Sequence, residues 1–383
     1  MTSNTSMIYS QIISQDGEIT PTEQLGIAIF VCLILFFPGV LVCKKYRKWR
    51  IRKQTKHHLS PFNTKNFAFK WKQNAIWNRK QITWGLQEKH GLDNVTFIRR
   101  LVESEISINY VKMDTLLKIG NTVRVFEATL KTKGTIQNVA AKMLQNGFTK
   151  EDYRLMNAKI QFFSTKKLAH PNVVKFIGAI RHDDTYGPIM IFELCLEHTV
   201  REWLEDFRTQ VDDDTLMQIK KFALDIGQGM MYLSEQKIIH KRLAARNVLL
   251  NDKLEAKVGC FGPRHKDKCS HPFERERMPI QWFAPESLVE LNTYSTESDV
   301  WSYGVTLWEM FSVGDLPYIN YNNREIIDLL NDGYRLMKPK YADSRFYELM
   351  KSCWKMKPEN RPTFSSIVRE LHDIVSVFSE SDE

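Results

Sequence analysis

Residues 25–43 form an uncharged apolar run of nineteen residues, and no other stretch of the 383-residue chain matches it. At about 1.5 Å per residue, a helix of that length reaches about 28 Å, close to the roughly 30 Å of bilayer hydrocarbon. Pro38 would break a soluble helix but is tolerated inside a membrane. No amphipathic stripe runs through the segment, which argues against a buried core helix. Lys44-Lys45-Tyr46-Arg47-Lys48-Trp49-Arg50-Ile51-Arg52-Lys53 follows at once. By the positive-inside rule, residues 1–24 are expected outside and the remainder in the cytosol. The expected order is an extracellular tail (1–24), a transmembrane helix (25–43), a basic juxtamembrane segment (44–112) and a large cytosolic part.

The charge follows the same division. Residues 1–24 carry Asp16, Glu18 and Glu23 and no Lys or Arg, whereas residues 44–110 hold sixteen Lys and Arg against four acids. Because the basic excess is confined beside the apolar run, it points to anionic inner-leaflet lipid, met through residues 44–56, and not to nucleic acid. No charged segment precedes an early apolar core, so a cleaved signal peptide is not expected. Asn4-Thr5-Ser6 is a glycosylation sequon and Cys43 a palmitoylation candidate. The six cysteines show no Cys-x-x-Cys spacing, and free thiols are the expectation for the cytosolic ones. Trp71, Trp77 and Trp84 fit two readings, membrane anchoring or packing on the domain that follows.

From Met113 the pattern changes to strand alternation, with strands expected at 116–119, 123–128, 138–142, 176–180 and 189–193. A helix is expected over 151–169, and after residue 200 helical periodicity takes over at 215–234, 297–311, 323–331, 344–354 and 364–378. A small strand-rich lobe followed by a larger helical lobe predicts an α+β, two-lobed architecture over 113–378, closed by an acidic tail at 379–383.

Several motifs in this part occur in one order. His240-Lys241-Arg242-Leu243-Ala244-Ala245-Arg246-Asn247 precedes Cys260-Phe261-Gly262. Pro279-Ile280-Gln281-Trp282-Phe283-Ala284-Pro285-Glu286 follows, then 298–309 around Trp301-Ser302-Tyr303-Gly304, and finally Cys353-Trp354 and Arg361-Pro362-Thr363-Phe364. Together they resemble the protein tyrosine kinase family, of the receptor-like, single-pass, short-ectodomain kind, over roughly 113–378. The resemblance implies a kinase-like fold in which Glu286 pairs with Arg361 and Asp299 braces the catalytic loop.

It also implies which parts are missing. Phosphoryl transfer needs a glycine loop, a Lys held by a Glu, two metal ligands and a carboxylate that accepts the hydroxyl proton. Of the glycine loop only Gly120 remains. Lys142 takes the strand-three lysine position, and its helix partner, counted nine residues before His170, falls at Gln161; a one-turn shift would change that partner. Arg242 stands where the family has its catalytic Asp, and a guanidinium cannot accept a proton at neutral pH. Cys260 replaces a hard oxygen ligand by a thiol. Arg246 is retained, and Asn247 is the one metal-ligand position kept, so Mg²⁺ is not expected. For the nucleotide, the resemblance implies contacts from Gly120, Val125, Ala140, Lys142, Glu193, Cys195 and Leu249, with Phe192 filling the space behind. Two readings stay open: ATP held without metal, or a cleft collapsed on Phe192.

The expectation is therefore a membrane-anchored pseudokinase, at the plasma membrane, acting as a signalling scaffold or allosteric partner of other proteins such as an active kinase or receptor. One alternative is a weakly active receptor-type tyrosine kinase using relocated acids such as Asp252, Glu255 or Asp267. Another is an interaction module that binds no nucleotide. The 24-residue extracellular tail is too short for a ligand-binding domain, so sensing would need a partner.

Overall fold

The structure, a computed structural model, describes residues 94–132, 134–181, 187–196, 198–264, 279–289 and 293–379. The chain divides into two units, Met1–Asn63 and Thr64–Glu383, and every described residue belongs to the second. The expected transmembrane helix, the lipid-facing cluster and residues 380–383 of the expected acidic tail (379–383) lie outside the described residues. Among the described residues no helix is long and apolar enough to cross a membrane.

The small lobe is a five-stranded antiparallel sheet built from β1 (Val111–Ile119), β2 (Val123–Thr132), β3 (Thr135–Leu144), β4 (Phe176–Ile180) and β5 (Ile189–Glu193), in the order β1-β2-β3-β5-β4. Side chains alternate between faces along a strand. Val139, Ala141 and Met143 of β3 join Ala128, Leu130, Ile180, Ile189 and Ile191 in a buried core on one face. Ala140 and Lys142 therefore share the opposite face, where Ala140 pairs with Phe192, and Lys142 with Val125 and Met190. That face looks onto the cleft.

Two helices complete this lobe. α1 (Asn94–Glu103) and the chain to Ile106 dock on α2 (Lys150–Lys166) and the β4 edge. α2 starts at a capping box between Thr149 and Asp152 and stops where Lys167 turns left-handed at φ 48°. Arg100 Nη1 donates to Thr165 O at 2.5 Å, and the hydroxyls of Ser104 and Ser164 bond at 2.7 Å. Ala179 N donates to Ser104 O at 2.8 Å, and Ile106 N to Ala179 O at 2.9 Å. Gly178 makes this possible: a Cβ there would come within 2.6 Å of both Ile106 Cδ1 and Ser104 O. This helix was not among the expected elements, because it falls in the segment read as basic juxtamembrane chain.

The large lobe comprises α3 (Val200–Phe207), α4 (Asp213–Glu235), the short α5 (Pro285–Val289), α6 (Thr296–Phe311), α7 (Asn323–Asn331), α8 (Ser344–Cys353) and α9 (Phe364–Ser379), with a two-stranded ribbon of β6 (Val248–Leu250) and β7 (Ala256–Val258). α6 is buried on nearly every side, its Ser298, Asp299, Ser302, Thr306 and Glu309 included, so these polar groups need partners inside the protein. Its polar groups are satisfied internally: Tyr303 Oη donates to Ala223 O at 2.9 Å and Ser302 Oγ to Trp282 O at 2.7 Å. Gly304 lets α6 approach α8, since a Cβ would lie 2.7 Å from Trp354 Nε1 and 2.8 Å from Cys353 Cβ. Arg361 forms a two-pronged ion pair with Glu286, at 2.6 and 2.8 Å, with the Arg361 side chain fully buried.

Candidate functional site

The loop 240–247 is held by buried acceptors. Asp299 of α6 accepts the backbone N–H of His240 at 2.6 Å and of Lys241 at 2.8 Å. Burial pushes its carboxyl up to about 7, against the pull of those two donors. Glu309, also on α6, accepts from Ala245 N at 3.0 Å and from Trp282 Nε1 at 2.6 Å. Arg246 lies with its guanidinium 4.0 Å from the centre of the Trp282 ring. His240 is fully buried, and burial brings its imidazole down to about 4, so it is neutral at physiological pH. Its Nε2 donates to Gly259 O at 2.8 Å and its Nδ1 accepts from Arg242 N at 3.2 Å, which fixes the tautomer. Glu309 and Trp282 were not singled out in the sequence as supports of this loop; the Trp-plus-buried-Glu pair follows from the helical face that Glu309 shares with Asp299 and Ser302.

Rings connect this loop to the small lobe. His240 lies 5.9 Å from Phe261, Phe261 5.3 Å from Phe163 of α2, and Phe163 5.5 Å from Phe176 of β4. Phe192 stands against Phe163 at 5.4 Å and Phe176 at 5.4 Å. Its ring thus packs behind the sheet face, and Ala140 and Leu249 remain half-buried on either side of the cleft. On the connecting strand, Glu193 Oε1 accepts from Lys175 N at 2.7 Å and Oε2 pairs with Lys257 Nζ at 3.2 Å. Burial, reinforced by the charge of Glu193, pushes the Cys195 thiol up to about 12, so it is unreactive at neutral pH.

The phosphate end departs further from the resemblance than its motifs foretold. Gly120 N donates to Val123 O at 2.8 Å, so its amide closes the β1–β2 turn. Asn247 Nδ2 donates to Arg242 O at 2.6 Å, so the kept metal-ligand residue holds the loop backbone by its amide. Cys260 is exposed, in a left-handed conformation at φ 64°. Among the described residues no group of three His, Cys, Asp or Glu could hold a metal ion. A thiol does not suit Mg²⁺, which prefers oxygen ligands, and the Asn247 Oδ1, left open by a bond made through Nδ2, is one neutral oxygen.

One expectation needs correction. The expected partnership of Gln161 with Lys142 shows no hydrogen bond among the described residues: Gln161 is buried at 7% exposure with Nε2 lacking any partner. Lys159, two residues earlier on α2, is half-buried and lies within the field of Lys142. At about 100° per residue, two positions along a helix are opposite faces, and Lys159 lies one turn before Phe163, whose ring meets Phe261. Burial brings the Lys159 ammonium down to about 8; the charges of Lys142, Arg242 and Arg264 push the same way, and Cys260 opposes them. Where an acid was sought to hold Lys142, the chain has a second lysine. The sequence signal was the Phe162-Phe163 pair, from which counting back one turn reaches Lys159.

The acids considered as replacements lie elsewhere. Glu255 accepts from Asn251 Nδ2 at 2.6 Å in the β6–β7 turn, and the charge of Asp252 acts on Cys195. Asp267 is outside the described residues.

Comparison with known proteins gives a consistent answer. Residues 111–371 match the family described as protein tyrosine and serine/threonine kinase. The chain is 37% identical over 262 residues to tyrosine-protein kinase Fer of Homo sapiens, covering 67% of this chain and 30% of that protein. It is 36% identical to the Rattus norvegicus Fer over 267 residues, 68% of this chain and 31% of that one. It is 31% identical to the angiopoietin-1 receptor of Danio rerio over 285 residues, 71% of this chain and 25% of that receptor. The chain thus spans less than a third of the length of these relatives.

Proposed function

Because the chain belongs to the protein tyrosine and serine/threonine kinase family, we propose that its domain is a pseudokinase, a membrane-anchored scaffold or allosteric partner that transfers phosphate poorly or not at all. The observation that carries this reading is Arg242 on an intact catalytic loop. Asp299, Glu309 and Asn247 hold the loop backbone in place, so the missing function lies in the side chain and not in a collapsed frame. A guanidinium there cannot take the hydroxyl proton, and general-base help is worth about 10²–10⁴ in rate. Cys260 removes the oxygen that would carry a metal, and Lys159 leaves Lys142 without an acid. These groups act on one event, so their effects do not multiply.

Fold alone does not settle activity in any family. What the braced loop and the packed ring column preserve is a rigid two-lobed surface, which suits a protein partner, with anchoring supplied by residues 25–43 and lipid contact by residues 44–56. The purified full chain is expected to show no phosphotransfer to itself, to a tyrosine peptide or to a serine peptide above a blank. Turnover that is abolished by Lys142→Met would overturn the proposal.

A further inference from the structure

Residues 94–106 lie ahead of the stretch 111–371 that matches the kinase family, yet they are bonded to it at two places. The first is where the C-terminal ends of α1 and α2 meet. Thr165 O, in the last turn of α2, accepts from Arg100 Nη1 at 2.5 Å, and Leu101 O, in the last turn of α1, accepts from Arg181 Nη2 at 3.0 Å. Glu103 pairs with Lys167, and the Ser104 and Ser164 hydroxyls bond between the two ends. A helix C-terminus is the negative end of its dipole and leaves carbonyls without intrahelical donors, so each end takes an arginine from outside its own helix. The second place is the outer edge of the sheet, where Ser104 and Ile106 pair with Ala179 of β4. The hold is rich in polar bonds and poor in buried area: no described side chain of 94–106 is buried, and Val102 is 63% exposed. A helix of ten residues is too short to persist alone in water, so α1 folds as it docks and unfolds when released.

We propose that residues 94–106 are a detachable strap that sets the position of the ring column between the lobes. The strap grips the two backbones that carry the column's small-lobe rings. Ser164 and Thr165 follow Phe163 directly, and Gly178 and Ala179 lie two and three residues beyond Phe176. Phe163 and Phe176 stack on each other, and Phe163 passes the contact on to Phe261, beside His240. With the strap docked, α2 and β4 are tied to one segment at the level of those rings. Its release removes that tie and leaves α2 freer to shift against β4, which loosens Phe261 and the chain that leads to it from β7. The seat is shaped for the strap, since the Ser104 carbonyl comes close only because Gly178 has no Cβ. The inference needs neither the anchor nor the pseudokinase reading, because it uses described residues alone. The strap is the first described element after the basic stretch 44–93, so an event on that stretch reaches the cleft through it.

The test is hydrogen exchange read by mass spectrometry on the full chain, comparing it with the double variant Arg100→Ala with Ser104→Ala. Both changes lie on the strap itself, at half-buried positions, so the core of the domain stays intact. With these polar ties removed, exchange should rise about tenfold in 94–106, and by a similar factor in 160–166, 176–180 and 256–262. Residues 123–144 and 296–311 should keep their protection. Gly178→Ala, which blocks the seat, should raise the same segments from the other side of the contact. Arg154→Ala, an exposed change near the far end of α2, should exchange as the unaltered chain does. Faster exchange confined to 94–106 would overturn the proposal, since the strap would then hold nothing. So would a uniform rise that includes 123–144 and 296–311, which would make the segment part of the global fold. No change in either strap variant, or an equal rise in Arg154→Ala, would overturn it as well. Phosphotransfer by the same sample bears on the pseudokinase reading and not on the strap.

Discussion

The carboxylate of Asp299 accepts the backbone N–H of Lys241 at 2.8 Å, and Lys241 holds a left-handed φ of 68° that a lysine rarely adopts. The catalytic loop is therefore kept in its strained turn by a residue 58 positions away, on a helix buried on nearly every side. Removing that acceptor should be severe. Asp299→Ala leaves the N–H groups of His240 and Lys241 buried and unpaired, and should destabilise the domain by about 3 kcal/mol in denaturant unfolding. Asp299→Asn, which keeps one acceptor, should lose about half as much. Equal effects from the two variants would mean that the turn is held by packing instead.

Most of the architecture was legible from the sequence because it rests on local pattern. Strand alternation located β1 to β5, and helical periodicity with the motif at 298–309 located α6. The motif order gave the loop positions of Arg242 and Cys260. What escaped was side-chain direction. The unpartnered Nε2 of Gln161 and the coupling of Lys159 to Lys142 both depend on how α2 is rotated against the sheet, which a count along the chain does not give. α1 escaped for a different reason: its docking depends on the backbone of Ser104 and on a glycine in β4, and neither leaves a periodic signal.

Lys159 gives a prediction with a sign in pH. The charges that act on it are those of Lys142 on β3, Arg242 and Cys260 on the two loops, and Arg264. Its folded value of about 8 lies below the ordinary 10.5, so between those values the unfolded chain holds the proton more firmly. Native stability from this residue then rises as pH climbs through that window. Lys159→Met should be more stable than the unaltered chain by about 2 kcal/mol at pH 7, and the gap should close as pH approaches the ordinary lysine value. The measurement is urea unfolding at several pH values in EDTA without nucleotide. A gap that does not change with pH would mean that the lysine is solvated.

Gly178 is the test of the α1 dock. A methyl group there meets Ile106 Cδ1, which can move, and Ser104 O, which is backbone and cannot. Gly178→Ala should therefore free the segment 104–106, exposing the Ala179 and Ile106 N–H groups to exchange and lowering stability by about 2 kcal/mol. Adding Ile106→Ala should not restore protection, because the carbonyl clash remains. Recovery in the double variant would place the conflict in the side chain alone.

The last prediction reverses the charge pattern of the cleft. Lys159→Glu places an acid opposite Lys142, and Cys260→Asp returns an oxygen ligand beside Asn247. The pair of changes removes the uncompensated cation and creates the start of a hard-ligand site. Nucleotide binding by the double variant should then be strengthened by Mg²⁺, as read by thermal shift with ATP in EDTA and in Mg²⁺. Phosphotransfer should remain low, because Arg242 still occupies the base position and Gly120 still closes its turn. Adding Arg242→Asp should raise turnover only in the presence of the other two, since a base helps only when phosphates and metal are already placed. If ATP binding by the double variant stays indifferent to Mg²⁺, the arrangement of lysines is not what sets the metal preference of this cleft.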